Sequence, residues 1–91
     1  MSPPEPNDPL ALALAALAAT LCDTRRAQRF ISLTGIDTGQ LRERAGDPVL
    51  LAALIRFLEA HEPDLVAVSE ELGVSPGVLV EARRELEEGN R

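Results

Sequence analysis

Few side chains in this sequence are equipped for chemistry. It has one cysteine, Cys22, and one histidine, His61, and no usual metal-ligand spacing joins them. Cys22 closes an almost wholly apolar run, where a thiol ordinarily serves as a small buried hydrophobe. His61 falls at the end of a helix, where an imidazole bonds the last carbonyls and suits the negative end of the dipole. Carboxylates gather at Glu70-Glu71 and at Glu81, Glu85 and Glu88. Glu81 and Glu85 share a helical face at a spacing that could hold a cation, but like charges four apart are more simply a solvated face with mild repulsion. No glycine-rich phosphate loop follows a strand. These residues predict no catalytic, metal or cofactor site, and no enzyme.

Arginine is the side chain with most to offer. The chain has nine arginines, no lysine and fifteen carboxylates, for a formal charge of −6. The charge is uneven. From Asp23 to Gly46, Arg25, Arg26, Arg29, Arg42 and Arg44 outweigh Asp23, Asp37 and Glu43, so the region nets +2, whereas Asp64 to Arg91 nets −4. Arg25 and Arg29 share a helical face, Arg26 adjoins them, and a short following helix adds Arg42 and Arg44. This ridge offers forked donors to an acidic partner surface. The plainer reading is that the arginines solvate a helix exterior and pair locally. The two aromatics, Phe30 and Phe57, are expected inside, which leaves no stacking platform for single-stranded nucleic acid.

A second candidate surface spans residues 65–86, whose spacing matches a helix-turn-helix. Gly73 takes the turn, while Val68, Leu72, Val74, Leu79 and Ala82 fall at interior positions and Ser69 is small at the crossing. On DNA, Ser75, Arg83 and Arg84 would be the contacts. Glu70, Glu71, Glu81 and Glu85 share the segment and repel phosphate, so nucleic acid is an unlikely ligand.

The elements that must position these residues are explicitly punctuated. Asp8-Pro9, Asp47-Pro48 and Ser75-Pro76 each supply an N-cap oxygen and a proline preset for a first helical turn. They open helices running to about Cys22, His61 and Glu87. Thr24 to Thr34 forms another, stopped by Gly35; Asp37 caps a short helix of about eight residues ending at Gly46; and Pro63-Asp64 starts one stopped by Gly73. Fifteen leucines and thirteen alanines, with no alternating apolar pattern, leave no strand. The expected fold is all-α, a compact bundle of about six helices.

Asp8-Pro9-Leu10 overlays Asp47-Pro48-Val49 at a shift of 39, and the Gly35 to Leu41 segment overlays Gly73 to Leu79 at 38. We expect a tandem duplication of a three-helix unit, 8–46 and 47–88, flanked by a disordered proline-rich cap over 1–7 and a frayed tail over 89–91. Half of such a pair buries too little apolar surface alone, so the two long helices should share the centre. In the first, Leu10, Leu14, Leu17 and Leu21 form one face and Ala11, Ala15, Ala18 and Ala19 the next. In the fourth, Leu51, Leu54, Ile55 and Leu58 form the main face, widened by Leu50 and Phe57.

The apolar run from Leu10 to Leu21 is too short to cross a bilayer, which needs ~20 residues. The acidic, proline-rich start does not read as a secretory leader. One unpaired cysteine fits a reducing, cytoplasmic setting.

Three segments together carry a resemblance: Arg29-Phe30-Ile31-Ser32-Leu33-Thr34-Gly35-Ile36, Leu41-Arg42-Glu43-Arg44-Ala45-Gly46-Asp47-Pro48, and Leu72-Gly73-Val74-Ser75-Pro76 with Ala82-Arg83. Over residues 8 to 88 the chain resembles a family of short alphaproteobacterial proteins catalogued as a domain of unknown function. The resemblance implies an all-helical cytoplasmic protein and carries over no activity, cofactor or site residue. From the residues themselves the expected function is a non-enzymatic protein-binding or regulatory module, acting on another protein or on itself as a homodimer. The alternative is a helix-turn-helix nucleic-acid binder.

Overall fold

The computed structural model describes residues 8–89; the cap expected over 1–7 and residues 90–91 lie outside them. Six helices follow in order, with no strand among the described residues: α1 (Pro9–Leu21), α2 (Thr24–Thr34), α3 (Thr38–Glu43), α4 (Pro48–Glu59), α5 (Glu62–Leu72) and α6 (Pro76–Gly89).

Most helix starts are set by an aspartate oxygen that accepts from an otherwise orphaned amide. Asp8 accepts from Ala11 N at 3.2 Å, Asp23 from Arg26 N at 3.0 Å and Asp47 from Val49 N at 2.9 Å. Asp37 and Gln40 form a reciprocal capping box, at 2.8 and 3.1 Å. Gly35 and Gly73 end α2 and α5 in the left-handed region, both at φ +71°, where a Cβ would be strained.

Three boundaries differ from the sequence reading. α3 is six residues rather than about eight, because the chain turns before Gly46: Asp47 N donates to Arg44 O, and the Arg44 guanidinium closes on Asp47. α4 stops at Glu59, and His61 stands at the N-cap of α5 with no side-chain capping bond, rather than bonding the last carbonyls of α4 through its imidazole. α6 continues to Gly89, past the end expected near Glu87 and into the first residue of the tail expected to fray, with Glu87 gripped by Arg56 and Arg83.

The centre is a trio. α1, α4 and α6 pack on one another, α5 lies against all three, and α2 lies against α1. α3 is anchored chiefly by buried Leu41. Ala13 and Ala16 of α1, Ala52 of α4 and Ala82 of α6 are buried, so each helix of the trio brings a small residue to the core, where small side chains allow closer helix axes. Around them pack Leu51, Leu54, Ile55 and Leu58 of α4, Val68 of α5 and Leu79 of α6, all fully buried. Two buried hydroxyls are satisfied within their own helices: Thr20 donates to Ala16 O at 2.8 Å and Ser69 to Leu65 O at 2.7 Å.

The halves share their punctuation but not their third elements. α6 is 14 residues long and packs on both long helices, whereas α3 makes no comparable contact with either.

The leucine face of α1 is split between core and surface. Leu12, Ala13, Ala16, Leu17 and Thr20 are buried, while Leu10, Leu14 and Leu21 remain 38–40% exposed. Cys22, expected to be buried, is exposed at the helix end. Of the aromatics, Phe30 is fully buried and Phe57 half-buried, with their rings edge to face at 5.3 Å.

This register predicts different costs for one substitution at two neighbouring positions. Leu12→Ala should destabilise the fold by about 2–4 kcal/mol, and Leu14→Ala by less than about 1 kcal/mol. Urea unfolding of both variants checks the order, and equal losses would contradict the register.

Candidate functional site

The fate of each arginine decides where a binding surface exists. Arg26, counted on the ridge, is largely buried: its guanidinium donates to both Glu71 oxygens of α5, at 3.2 and 3.3 Å, and to Ala19 O at 3.5 Å. Hydrogen bonding to the Glu71 carboxylate pushes its pKa above the ordinary arginine value. Arg44 closes locally on Asp47 at 2.9 Å. Arg83 lies between Glu59, at 2.6 Å, and Glu87, at 2.7 Å, which hold its pKa up. Arg56 also reaches Glu87, at 2.6 Å. Arg84 is exposed with Glu81 at 3.7 Å, and Ser75 is exposed just before α6. Among the described residues, Arg25 and Arg42 make no ion pair.

The ridge therefore divides. Arg42 lies on α3 beside an apolar hollow of about 420 Å³ between α1, α2 and α3. Arg25 and Arg29 open into an 800 Å³ groove between α2 and the α4–α5 junction. Gln28, Ser32 and Leu33 continue the α2 wall, and His61 and Asp64 form the opposite side.

Arg29 is held in place. It pairs with Asp64 and lies over the Phe57 ring, 5.6 Å from its centroid, an arrangement in which the ring face attracts the cation. Asp64 Oδ2 is buried without a hydrogen bond of good geometry, so its charge is met by the Arg29 ion pair alone. Arg25 has no such partner. A guanidinium free to donate beside one already oriented suits a carboxylate or another planar anion. Ser32, His61 and Asp64 are the residue types of a nucleophilic relay, but the one hydrogen bond among them is backbone, Asp64 N donating to His61 O at 3.0 Å, and the Asp64 side chain faces Arg29 instead. Among the described residues, no group of three or more His, Cys, Asp or Glu side chains could hold a metal ion.

Sequence reasoning found Arg25 and Arg29 but missed His61 and Asp64 as their neighbours. These meet only through the packing of α2 against the start of α5, for which no local signal exists. The segment over 65–86 does fold as two helices about Gly73 with Val68, Leu79 and Ala82 inside. The other side of α6 presents Glu81 and Glu85, both exposed.

The model for the family described as Protein of unknown function (DUF3572) matches residues 6–89. No curated protein and no solved structure matches the chain. Among the described residues, no helix is long and apolar enough to cross a membrane.

The pairings have two measurable consequences. Arg26→Ala should cost about 1–2 kcal/mol and Arg25→Ala less than about 0.5 kcal/mol in chemical unfolding, since the former leaves Glu71 and a buried stem unpartnered; the reverse order would contradict the division. The Arg56 and Arg83 guanidinium groups hold Glu87 below the usual carboxylate range, Arg44 does the same to Asp47, and the Arg26 amide to Asp23. The unfolded chain then binds these protons at a higher pH than the folded one. The associated stability is present above the ordinary carboxylate pKa and is lost as pH falls through the depressed values. Thermal melts should show Tm falling between about pH 5 and pH 3, with a shallower fall for Glu87→Gln.

Proposed function

The chain belongs to this DUF3572 family, and we propose that it works without chemistry of its own, as a helical module that presents the α2 groove to an acidic segment of another protein. The observation that carries this reading is the contrast among the arginines. Six of the eight described are engaged by carboxylates of the same chain, whereas Arg25 stands unpaired in the 800 Å³ groove, beside the oriented Arg29. An incoming carboxylate would gain a charge-assisted contact there without breaking an internal pair. Leu33, 76% exposed at the same groove, adds an apolar contact, so the expected segment carries an apolar side chain close to its acidic ones. The unlinked serine, histidine and aspartate support binding over catalysis. A free, exposed thiol fits a reducing cytoplasmic setting.

The second reading, a helix-turn-helix nucleic-acid binder, draws support from the α5–Gly73–α6 geometry. It asks Arg83 to leave Glu59 and Glu87 and sets Glu81 and Glu85 toward phosphate, so it is the weaker of the two.

Affinity capture with tagged wild type, Arg25→Glu and Arg84→Glu distinguishes the readings. A partner retained by wild type and Arg84→Glu should be weakened about tenfold or more by Arg25→Glu, with binding that declines as salt rises. Identical partner sets for all three would overturn the groove. Retention of duplex DNA at low salt, lost in Arg84→Glu, would favour the second reading.

A further inference from the structure

α1 bears no charged residue, and Thr20, its one hydroxyl side chain, is buried and bonded to Ala16 O. Its inner arc fills the core. Its outer arc is equally apolar: Leu10 and Leu14 are 38% exposed, Leu21 is 40% exposed, and Ala11 and Ala18 are exposed as well. At 100° per residue these five positions form one contiguous strip about 100° wide. The other large exposed apolar side chains, Leu33, Val49 and Val66, stand singly on three different helices. A helix with no polar side to give to water marks an interaction surface.

We infer that this strip is the seam of a homodimer, in which α1 packs antiparallel against α1 of a second copy about a twofold axis. The inference is independent of the α2 groove, which lies on other helices. Three observations select a second copy in that orientation. The strip alternates small and large residues, Ala11, Leu14, Ala18 and Leu21, at heptad spacing, and reading it backwards exchanges the sizes. An antiparallel partner therefore sets Leu14 against Ala18 and Leu21 against Ala11, whereas a parallel one sets leucine on leucine. The same patch meets itself, as a twofold interface requires.

Charge agrees. Asp8 caps one end of α1, while the other end leads into the arginine-rich α2 and lies beside the hollow rimmed by unpaired Arg42. Antiparallel packing brings Asp8 of one copy to the α1–α2 corner of the other, where Asp23 is already paired with Arg26 and Arg25 is unpaired; parallel packing would stack Asp8 on Asp8. The strip itself holds no carboxylate, so two chains of net charge −6 meet here without like charges across the seam. The hollow of about 420 Å³, lined by Leu17, Leu21, Ile31 and Leu41, opens at the end where the antiparallel register places Leu10 of the second copy. Five strip residues are far fewer than the roughly 20–30 a side of stable complexes, so the expected association is weak and concentration-dependent.

Sedimentation equilibrium of wild type, Leu14→Glu and Ala18→Glu, from about 5 μM to about 1 mM, tests the seam, with circular dichroism melts confirming that the variants fold. Wild type should pass from monomer to dimer over this range, and both variants should weaken dimerisation at least tenfold. A wild type that stays monomeric leaves the strip to some other partner and overturns the proposal, as does a Leu14→Glu variant that dimerises equally well. Orientation is read by mild oxidation. Residues 10 and 22 lie roughly 18 Å apart along one helix, too far to bridge within a chain. Leu10→Cys should cross-link to Cys22 of the second copy much faster than wild type cross-links through Cys22 alone. Equal rates would overturn the antiparallel arrangement.

Discussion

The fold depends on packing an uncharged helix, α1, against both α4 and α6. Because α1 offers only methyl and isobutyl groups, apart from one hydroxyl satisfied within the helix and Cys22 at its end, its stabilisation comes almost entirely from apolar area removed from water and from close contact at alanine. Ala13 and Ala16 are fully buried, and the remaining helices arrange around that contact. The same absence of polarity leaves the outer arc of α1 with nothing to give to solvent, so one compositional fact sets both the core and a surface.

Outside the core, arginine and carboxylate tie the helices together. Arg26 joins α2 to α5 through Glu71, and Arg29 joins them again through Asp64. Arg83 and Arg56 join α4 to α6 through Glu59 and Glu87. Exposed pairs of this sort contribute little singly, but Arg83 and Glu59 are sheltered and joined by a bidentate contact, and Glu87 links them to exposed Arg56, so four groups form one network, the arrangement in which such pairs matter most. Most of the chain's positive charge is thereby used internally. The few guanidinium groups left free then become informative about what the surface can bind.

The helices were legible in the sequence because their ends are local: an aspartate before a proline, or a glycine at a left-handed stop, acts within one turn. The packing face of α4 was legible too, since its polar positions interrupt the apolar ones. α1 was not. When every position is apolar, periodicity carries no information about which side faces inward, and the face of Leu10, Leu14, Leu17 and Leu21 is split, with Leu17 alone of the four buried. Cys22 was misplaced because burial was inferred from the company of apolar residues rather than from the helix end. The arginine ridge, read from sequence as one cluster, divides into separate fates, because Glu71, Asp64 and Asp47 select their partners through the folded geometry. The groove's far wall, His61 and Asp64, left no trace in the sequence around α2.

Native-state hydrogen exchange by NMR tests the central packing claim most directly, since it reads the opening free energy of each helix separately. If α1 is locked against α4 and α6, amides from Leu12 to Thr20 exchange as slowly as those of α4 and α6, near the limit set by global unfolding, while α3 exchanges earlier. Faster exchange across α1 than across α2 or α3 would show that the uncharged helix is an appendage rather than the centre, and would contradict the account.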